Sequence, residues 1–525
     1  MTRWAESPEQ RSQMVLFAER LDDAIPQSHI VRLLDEILSK LDWSKWEAKY
    51  HQRLGQPAIH PRVLASVVVY GLLTRIRSSR GLEEALKVRM DFRWLAQGHT
   101  IDHSTLCNFR RQHVEELKDL FIQVCQLARE MGLLTIQRLG YDGTRVRANN
   151  RRSGTRTLEE LRKERDELAA KFQELNQQAE GEDCRDEEFF GLQSPDELPE
   201  ELRDPNDRLA KLNQVINELE RADREGETVP QRVPVTDLDA RVMPNKDGGY
   251  APNYTPVATV DIETGMIVAA DVLNVVNEDG HLISAIEEVQ KDFAPTSPLD
   301  VLTDGLNGTG ENLAACEERG VTVYSPCDIP DPATNPALRD DPTQPVPEAD
   351  WGRLPTQKVK VNGKQQSQLD KGGFVYDKEG DCYWCPAGKP LHYAHDTTDV
   401  RRGKKRVRRR YKANRSDCAG CPLRDLCLQG KAQNRQITRD ENEEHRERHA
   451  QHMAKPESQG IYSLRRHPGE RPFAVIKHQF GLRRFLLRGL ERVQNEWRWA
   501  TLAFNLQRLM SMHRSRDGPT VALAN

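Results

Sequence analysis

Three acidic residues, far apart in the chain, sit where carboxylates can do chemistry. Asp142 stands in Tyr141-Asp142-Gly143-Thr144 and closes the β-favouring run 133–140. Asp304 ends the apolar run Leu299-Asp300-Val301-Leu302-Thr303. Glu470 lies in the stretch 462–477, where it opens a helical segment. Two carboxylates at strand ends and a third at the head of a helix can converge on one point. Like charges repel, so such a cluster calls for hard cations such as Mg²⁺. Two such ions can clamp the attacking and the leaving oxygen of a phosphodiester. Each acid also has a plainer reading. A strand-end Asp before Gly often bonds only its own turn, and a Glu in a helix's first turn is favoured by the dipole. Asp237, Asp239, Asp261, Asp279, Glu491 and Glu496 compete for the same roles. The joint pattern distinguishes Asp142, Asp304 and Glu470.

With these motifs the chain resembles the DDE transposases of bacterial insertion sequences. Asp142 matches the first acidic motif of that family. Asp304 matches the second, with Leu306-Asn307 in place of the usual Gly-Tyr. In the third, Tyr462-x2-Arg465 and Glu470-x6-Lys477 fit, and Arg466-x3-Glu470 fits at the expense of one inserted residue. The resemblance runs from about residue 15 to 512. It implies a ribonuclease-H-like mixed α/β sheet that cuts DNA at transposon ends and joins the freed 3′ ends to target DNA. It also implies Asp142, Asp304 and Glu470 as the catalytic residues, holding two Mg²⁺ (or Mn²⁺), and Tyr462, Arg465 or Arg466, and Lys477 as DNA contacts. Lys477 lies two helical turns beyond Glu470, so a regular helix would put both on one face. The rival readings are a non-catalytic, transposase-derived DNA-binding protein and a metal-dependent nuclease without strand transfer.

Bulk composition permits this. The 525 residues exceed one ordinary core, so several modules are expected. There is no run of eighteen apolar residues and no apolar segment near Met1, so a cytoplasmic, nucleoid-associated protein without membrane attachment is expected. The net charge of −4 hides strong segregation. Segment 180–204 holds eleven acidic and two basic residues, whereas 401–412 holds nine basic and none acidic. Phosphate binding follows local fields, so an acidic total does not exclude DNA.

Periodicity divides the chain. Residues 12–130 read as an all-helical module, with Pro61 opening one helix and Asp102 or Ser104 capping another; the resemblance implies that it binds DNA or serves assembly. Segments 131–154 and 229–325 read as two parts of the catalytic sheet, in the order strand, hairpin, helix, strand, helix, strand. Between them, 155–228 carries a heptad-like stripe (Leu158, Leu161, Leu168, Phe172, Leu175) answered by Leu209, Leu212, Ile216 and Leu219, which predicts a helical hairpin. Residues 326–455 form a second insertion, and 456–512 a final helical part carrying Glu470. A homodimer or higher oligomer on double-stranded DNA is the expected assembly.

Five cysteines cluster in the second insertion: Cys382-x2-Cys385, then Cys418-x2-Cys421-x5-Cys427. Tetrahedral Zn²⁺ takes four thiolates, so five compete for four places. The resemblance implies Cys385, Cys418, Cys421 and Cys427, through the pieces "CPxG" and "CxxCPxxxxC". A closed site of four thiolates would be structural. Between its halves lies the basic run 401–412, where Arg408, Arg409 and Arg410 are expected to clamp phosphates.

Overall fold

The computed structural model describes residues 20–50, 57–150, 155–179, 205–224, 232–234, 236–245, 248–276, 278, 280–295, 298–327, 334–361, 364–401, 404–466 and 468–517. The chain forms two compact units: Met1–Leu133 with Ala474–Leu482 and Asn495–Asn525, and Leu134–Phe473 with Arg483–Gln494.

The first unit is helical: α1 (Ile30–Ser39), α2 (Ser44–Glu47), α3 (Pro61–Leu73), α4 (Ser79–Val88), α5 (Met90–Leu95), α6 (His103–Gln112) and α7 (Val114–Glu130). The apolar stripe of α1 buries Val31, Leu34, Ile37 and Leu38. Pro61 starts α3, where its missing N–H costs nothing. Of the two candidate caps for α6, Asp102 serves, accepting the Thr105 amide at 2.6 Å. The arginines here divide. Arg77 is half-buried and pairs with buried Glu496 at 2.7 Å, and buried Arg110 donates to the Arg77 carbonyl at 2.9 Å. These two arginines hold helices together.

The second unit opens with β1 (Arg138–Gly143), β2 (Val146–Arg147), β3 (Thr155–Arg156), α8 (Leu158–Ala179), α9 (Pro205–Arg224), β4 (Val233–Pro234), β5 (Arg241–Pro244), β6 (Tyr250–Asp261), β7 (Ile267–Leu273), α10 (Leu282–Phe293), β8 (Leu299–Leu302), α11 (Gly310–Glu318) and β9 (Val321–Tyr324). The main sheet is mixed. β7, β6 and β1 run antiparallel, and β8 and β9 continue parallel beside β1. The first half of β6 carries β5 and β2. Residues 253–261 of β6 are buried without alternation, as in a strand covered on both faces. α8 and α9 pack through Leu161, Leu212, Val215, Ile216 and Leu219, and Arg162 pairs with Glu220 at 2.7 Å. The side chains of Phe172 and Leu175 and the segment 180–204 lie outside the described residues.

A separate antiparallel sheet follows. After β10 (Thr356–Val361) and β11 (Lys364–Leu369) come β12 (Val375–Asp377), β13 (Cys382–Trp384), β14 (Pro390–Arg401), β15 (Lys404–Ala413), α12 (Arg415–Ala419), α13 (Arg424–Cys427) and β16 (Gln436–Asp440). Strands β12 to β16 pair in sequence order around a core of Leu369, Phe374, Tyr383, Leu391, Tyr411 and Ile437. The chain ends through α14 (Glu443–Met453), α15 (Pro456–Ser463), α16 (Arg471–Ala474), a π-helical turn (Val475–Gln479) and α17 (Leu490–Asp517). Among the described residues no helix is long and apolar enough to cross a membrane.

Candidate active site

Strands β1 and β8 pair in parallel, Arg138 with Asp300, Leu139 with Val301, and Gly140 with Leu302. Asp142 and Asp304 each follow the last pair of that register by two residues. In-register neighbours of a parallel pair point to one face. On that face Leu302 packs with Ile262, Tyr324, Met453 and Tyr462. A Cβ added to Gly140 would stand 3.9 Å from the Gly469 Cα. Asp142 therefore faces the segment that carries Tyr462, Arg465 and Glu470, through its contact with Arg465.

Each carboxylate is held differently. Asp142 Oδ1 accepts the Gly143 amide at 2.9 Å and has Arg465 Nη2 at 3.3 Å. Asp304 Oδ1 accepts from the Leu306 amide (3.1 Å), the Asn307 amide (3.3 Å) and Asn307 Nδ2 (3.0 Å). The turn reading of Asp304 is thus right for one oxygen, while Oδ2 accepts no hydrogen bond among the described residues. Asn307, which replaces a residue of the family's usual pair, is buried and locks this turn. Glu470 is exposed, in a turn where the Gly469 amide donates to the Arg465 carbonyl at 3.2 Å. Among the described residues no group of three or more His, Cys, Asp or Glu side chains is gathered closely enough to hold a metal ion. The acids fall short because Asp142 faces a guanidinium, Asp304 gives one oxygen to its own loop, and Glu470 points to solvent.

Tyr462 packs into the apolar cluster under β8 and β9 and so braces this segment. Arg466 is exposed, in a 3₁₀ turn with Arg465. Only a turn and the four-residue α16 separate Glu470 from the π-helical turn that holds Lys477. A regular helix from Glu470 to Lys477 is therefore absent, and the shared-face argument fails because a π turn takes more residues than an α turn.

Most rival acids have other work. Asp237 Oδ1 and Asp239 Oδ2 accept the Gly489 and Leu490 amides at the start of α17. Asp261 Oδ2 accepts from Thr264 in the β6–β7 turn. Glu496 pairs with Arg77, and Asp279 lies outside the described residues. One carboxylate was not foreseen from sequence. Glu278 occupies the space above Gly143, so close that any Cβ there would overlap it, and it pairs with Arg145 at 3.6 Å. Its only sequence signal is that glycine. Burial, with the negative charges of Glu278, Asp271, Asp304 and Asp142, pushes the Tyr141 phenol pKa up.

Like the acids, the described cysteines are not gathered closely enough to hold a metal ion, but four of them share a cavity. Cys385, Cys418, Cys421 and Cys427 line one cavity of about 30 Å³, whereas Cys382 is buried in β13, away from it. Burial pushes the Cys427 thiol up to about 12, and raises Cys385 as well. Any metal taken here must therefore displace protons. The basic run divides. Arg409 pairs with Asp381 at 2.6 Å and stacks on the Tyr393 and Tyr411 rings, so it is committed to the fold. Arg406 pairs with Glu311 at 2.6 Å. Arg408 and Arg410 alternate with Arg409 along β15 and point to its other face.

Comparison with known families agrees with the motifs. Residues 384–510 match the family model described as transposase DDE domain. Residues 19–112 match that of a transposase domain (DUF772). Two such domains in one chain mark it as a transposase, a DNA-processing enzyme. The pair supports a DDE transposase of an insertion sequence. The first match contains Glu470, Arg465 and the four clustered cysteines; Asp142 and Asp304 lie upstream of it. No curated protein matches the chain.

Proposed function

We propose that the chain binds transposon ends, cleaves the DNA there and transfers the 3′ ends to target DNA, with Asp142, Asp304 and Glu470 as its catalytic carboxylates. The observation that carries this reading is the parallel β1–β8 pairing, which ends at Gly140 and Leu302, two residues before Asp142 and Asp304 in each strand. Antiparallel β7, β6 and β1 followed by parallel β8 and β9 support a ribonuclease-H-like sheet.

Asp142 and Asp304 offer the hard oxygen donors that Mg²⁺ or Mn²⁺ prefers, and Asp304 Oδ2 is available for it. Two such ions, when bound, supply charge neutralisation at the attacking and leaving oxygens of the phosphodiester. Asn307 fixes the angle of Asp304. Glu470 joins the set by movement of the turn at 468–470, whose Gly469 already approaches β1. Arg465, Arg466 and Lys477 would contact DNA, with Tyr462 bracing the segment. Arg408 and Arg410 would hold phosphates, with Arg409 reaching one only by giving up Asp381. Cys385, Cys418, Cys421 and Cys427 would hold a structural Zn²⁺, a reading supported by the single cavity they line. The working form would be a homodimer or larger assembly on the nucleoid.

The test is a cleavage and joining assay with the element's own ends and Mg²⁺. Asp142→Asn, Asp304→Asn and Glu470→Gln should each abolish both steps while DNA binding persists. Arg408→Gln with Arg410→Gln should weaken binding and flatten its salt dependence. Cleavage without joining by the wild type would mean a nuclease. Binding without cleavage would mean a DNA-binding module.

A further inference from the structure

Arg465 meets Asp142 loosely. Its Nη2 lies 3.3 Å from Oδ1, longer than a charge-assisted hydrogen bond. Its Nε is buried and has no acceptor. Two arginines of the same unit build full forks. Arg409 grips Asp381 at 3.1 and 2.6 Å, and Arg439 grips Glu447 at 2.6 and 3.0 Å. Among the described residues Arg465 has only this one loose ion pair and a buried donor unpaired, which is costly. A fork so placed suits exchange better than permanent pairing.

We propose that Arg465 is an internal counter-cation of Asp142 that a divalent ion displaces, and that the displaced fork then takes the phosphodiester. The inference rests on Asp142 being a metal ligand. A cation on Asp142 repels the guanidinium and removes its acceptor. The non-bridging oxygens of a phosphate match the two parallel donors of the fork better than one carboxylate oxygen at 3.3 Å. Metal and DNA would then bind cooperatively, because each relieves a cost that the other meets alone.

The experiment is Mn²⁺ binding to the full chain without DNA, by calorimetry and by the Mn²⁺ paramagnetic resonance signal. Arg465→Gln should bind Mn²⁺ roughly two- to fivefold more tightly than the wild type, the range expected for losing one partly exposed ion pair. Arg465→Lys, which keeps the charge, should stay near the wild type, and unchanged thermal melting would show that each variant folds. Equal or weaker binding by Arg465→Gln, with Asp142→Asn abolishing binding, would overturn the counter-cation role alone. Asp142→Asn binding Mn²⁺ as the wild type does would instead remove the acidic site on which the role depends.

Discussion

Gly388→Ala should unfasten the cysteine-bearing sheet. The turn Cys385-Pro386-Ala387-Gly388 is closed by the Gly388 amide donating to the Cys385 carbonyl at 2.9 Å. The Lys389 amide meets Cys385 Sγ at 3.3 Å and so orients the sulfur. Gly388 has φ +70°, and a Cβ there would stand 2.3 Å from the Thr343 carbonyl oxygen, 0.7 Å inside the 3.0 Å that real Cβ atoms keep. That carbonyl is backbone, and its segment is tied back by the Val346 amide donating to the Pro386 carbonyl at 2.7 Å. The left-handed conformation costs alanine about 1–2 kcal/mol, and a forced backbone shift about 1–3 kcal/mol more. Together these give about 2–5 kcal/mol, which corresponds to about thirtyfold or more in an opening equilibrium. Amide hydrogen exchange across β13 to β16 should accelerate by at least that factor, and bound Zn²⁺ should fall. Gly420→Ala is the control, since φ there is −105° and nothing lies within 4 Å; it should exchange as the wild type does. Exchange of Gly388→Ala within twofold of the wild type would refute the reasoning.

Three further outcomes follow from the same structure. Cys421→Ser should lower Zn²⁺ per chain, measured by atomic emission, whereas Cys382→Ser should retain the metal and lose only packing, because Cys382 lies away from the shared cavity. Arg77→Ala would strip buried Glu496 of its guanidinium, and losing one partner of a buried pair costs about 3–5 kcal/mol, read as a lower urea midpoint for the helical unit. Burial raises the Asp237 carboxyl to about 6 from 3.8, so the fold holds its proton more tightly than the unfolded chain does. Its contribution to stability is full below about pH 4 and is lost as pH rises through about 6, amounting to about 3 kcal/mol. Urea unfolding at pH 4 and pH 7 should show that fall in the wild type and a flatter profile in Asp237→Asn.

Much of the candidate site could be proposed from sequence because it rests on local signals. Strand-end acids, the Cys-x2-Cys turns and the order of elements are written in short stretches. The first half of β6 was not, because Pro252 and Pro256 argue against a central strand. Their carbonyls still accept the Ala148 and Thr144 amides at 3.0 and 2.8 Å, although neither ring nitrogen can donate to the ladder. The basic run looked like a uniform clamp, and only strand alternation across β14 to β16 separates structural Arg409 from Arg408 and Arg410. Glu278 was invisible because its closeness to Gly143 is tertiary. The break before Lys477 was missed because no Gly or inner Pro marks a π turn, and Pro472 sits within the first turn of α16, where proline is tolerated.

The central claim is that Asp142, Asp304 and Glu470 share metal ions. Anomalous diffraction from crystals of the chain with Mn²⁺ and transposon-end DNA measures this directly. Two peaks about 3.5–4 Å apart, bridged by Asp142 and flanked by Asp304 and Glu470, are the predicted result. Mn²⁺ peaks at Glu278 and Asp271 instead, with Glu470 still turned to solvent, would contradict it.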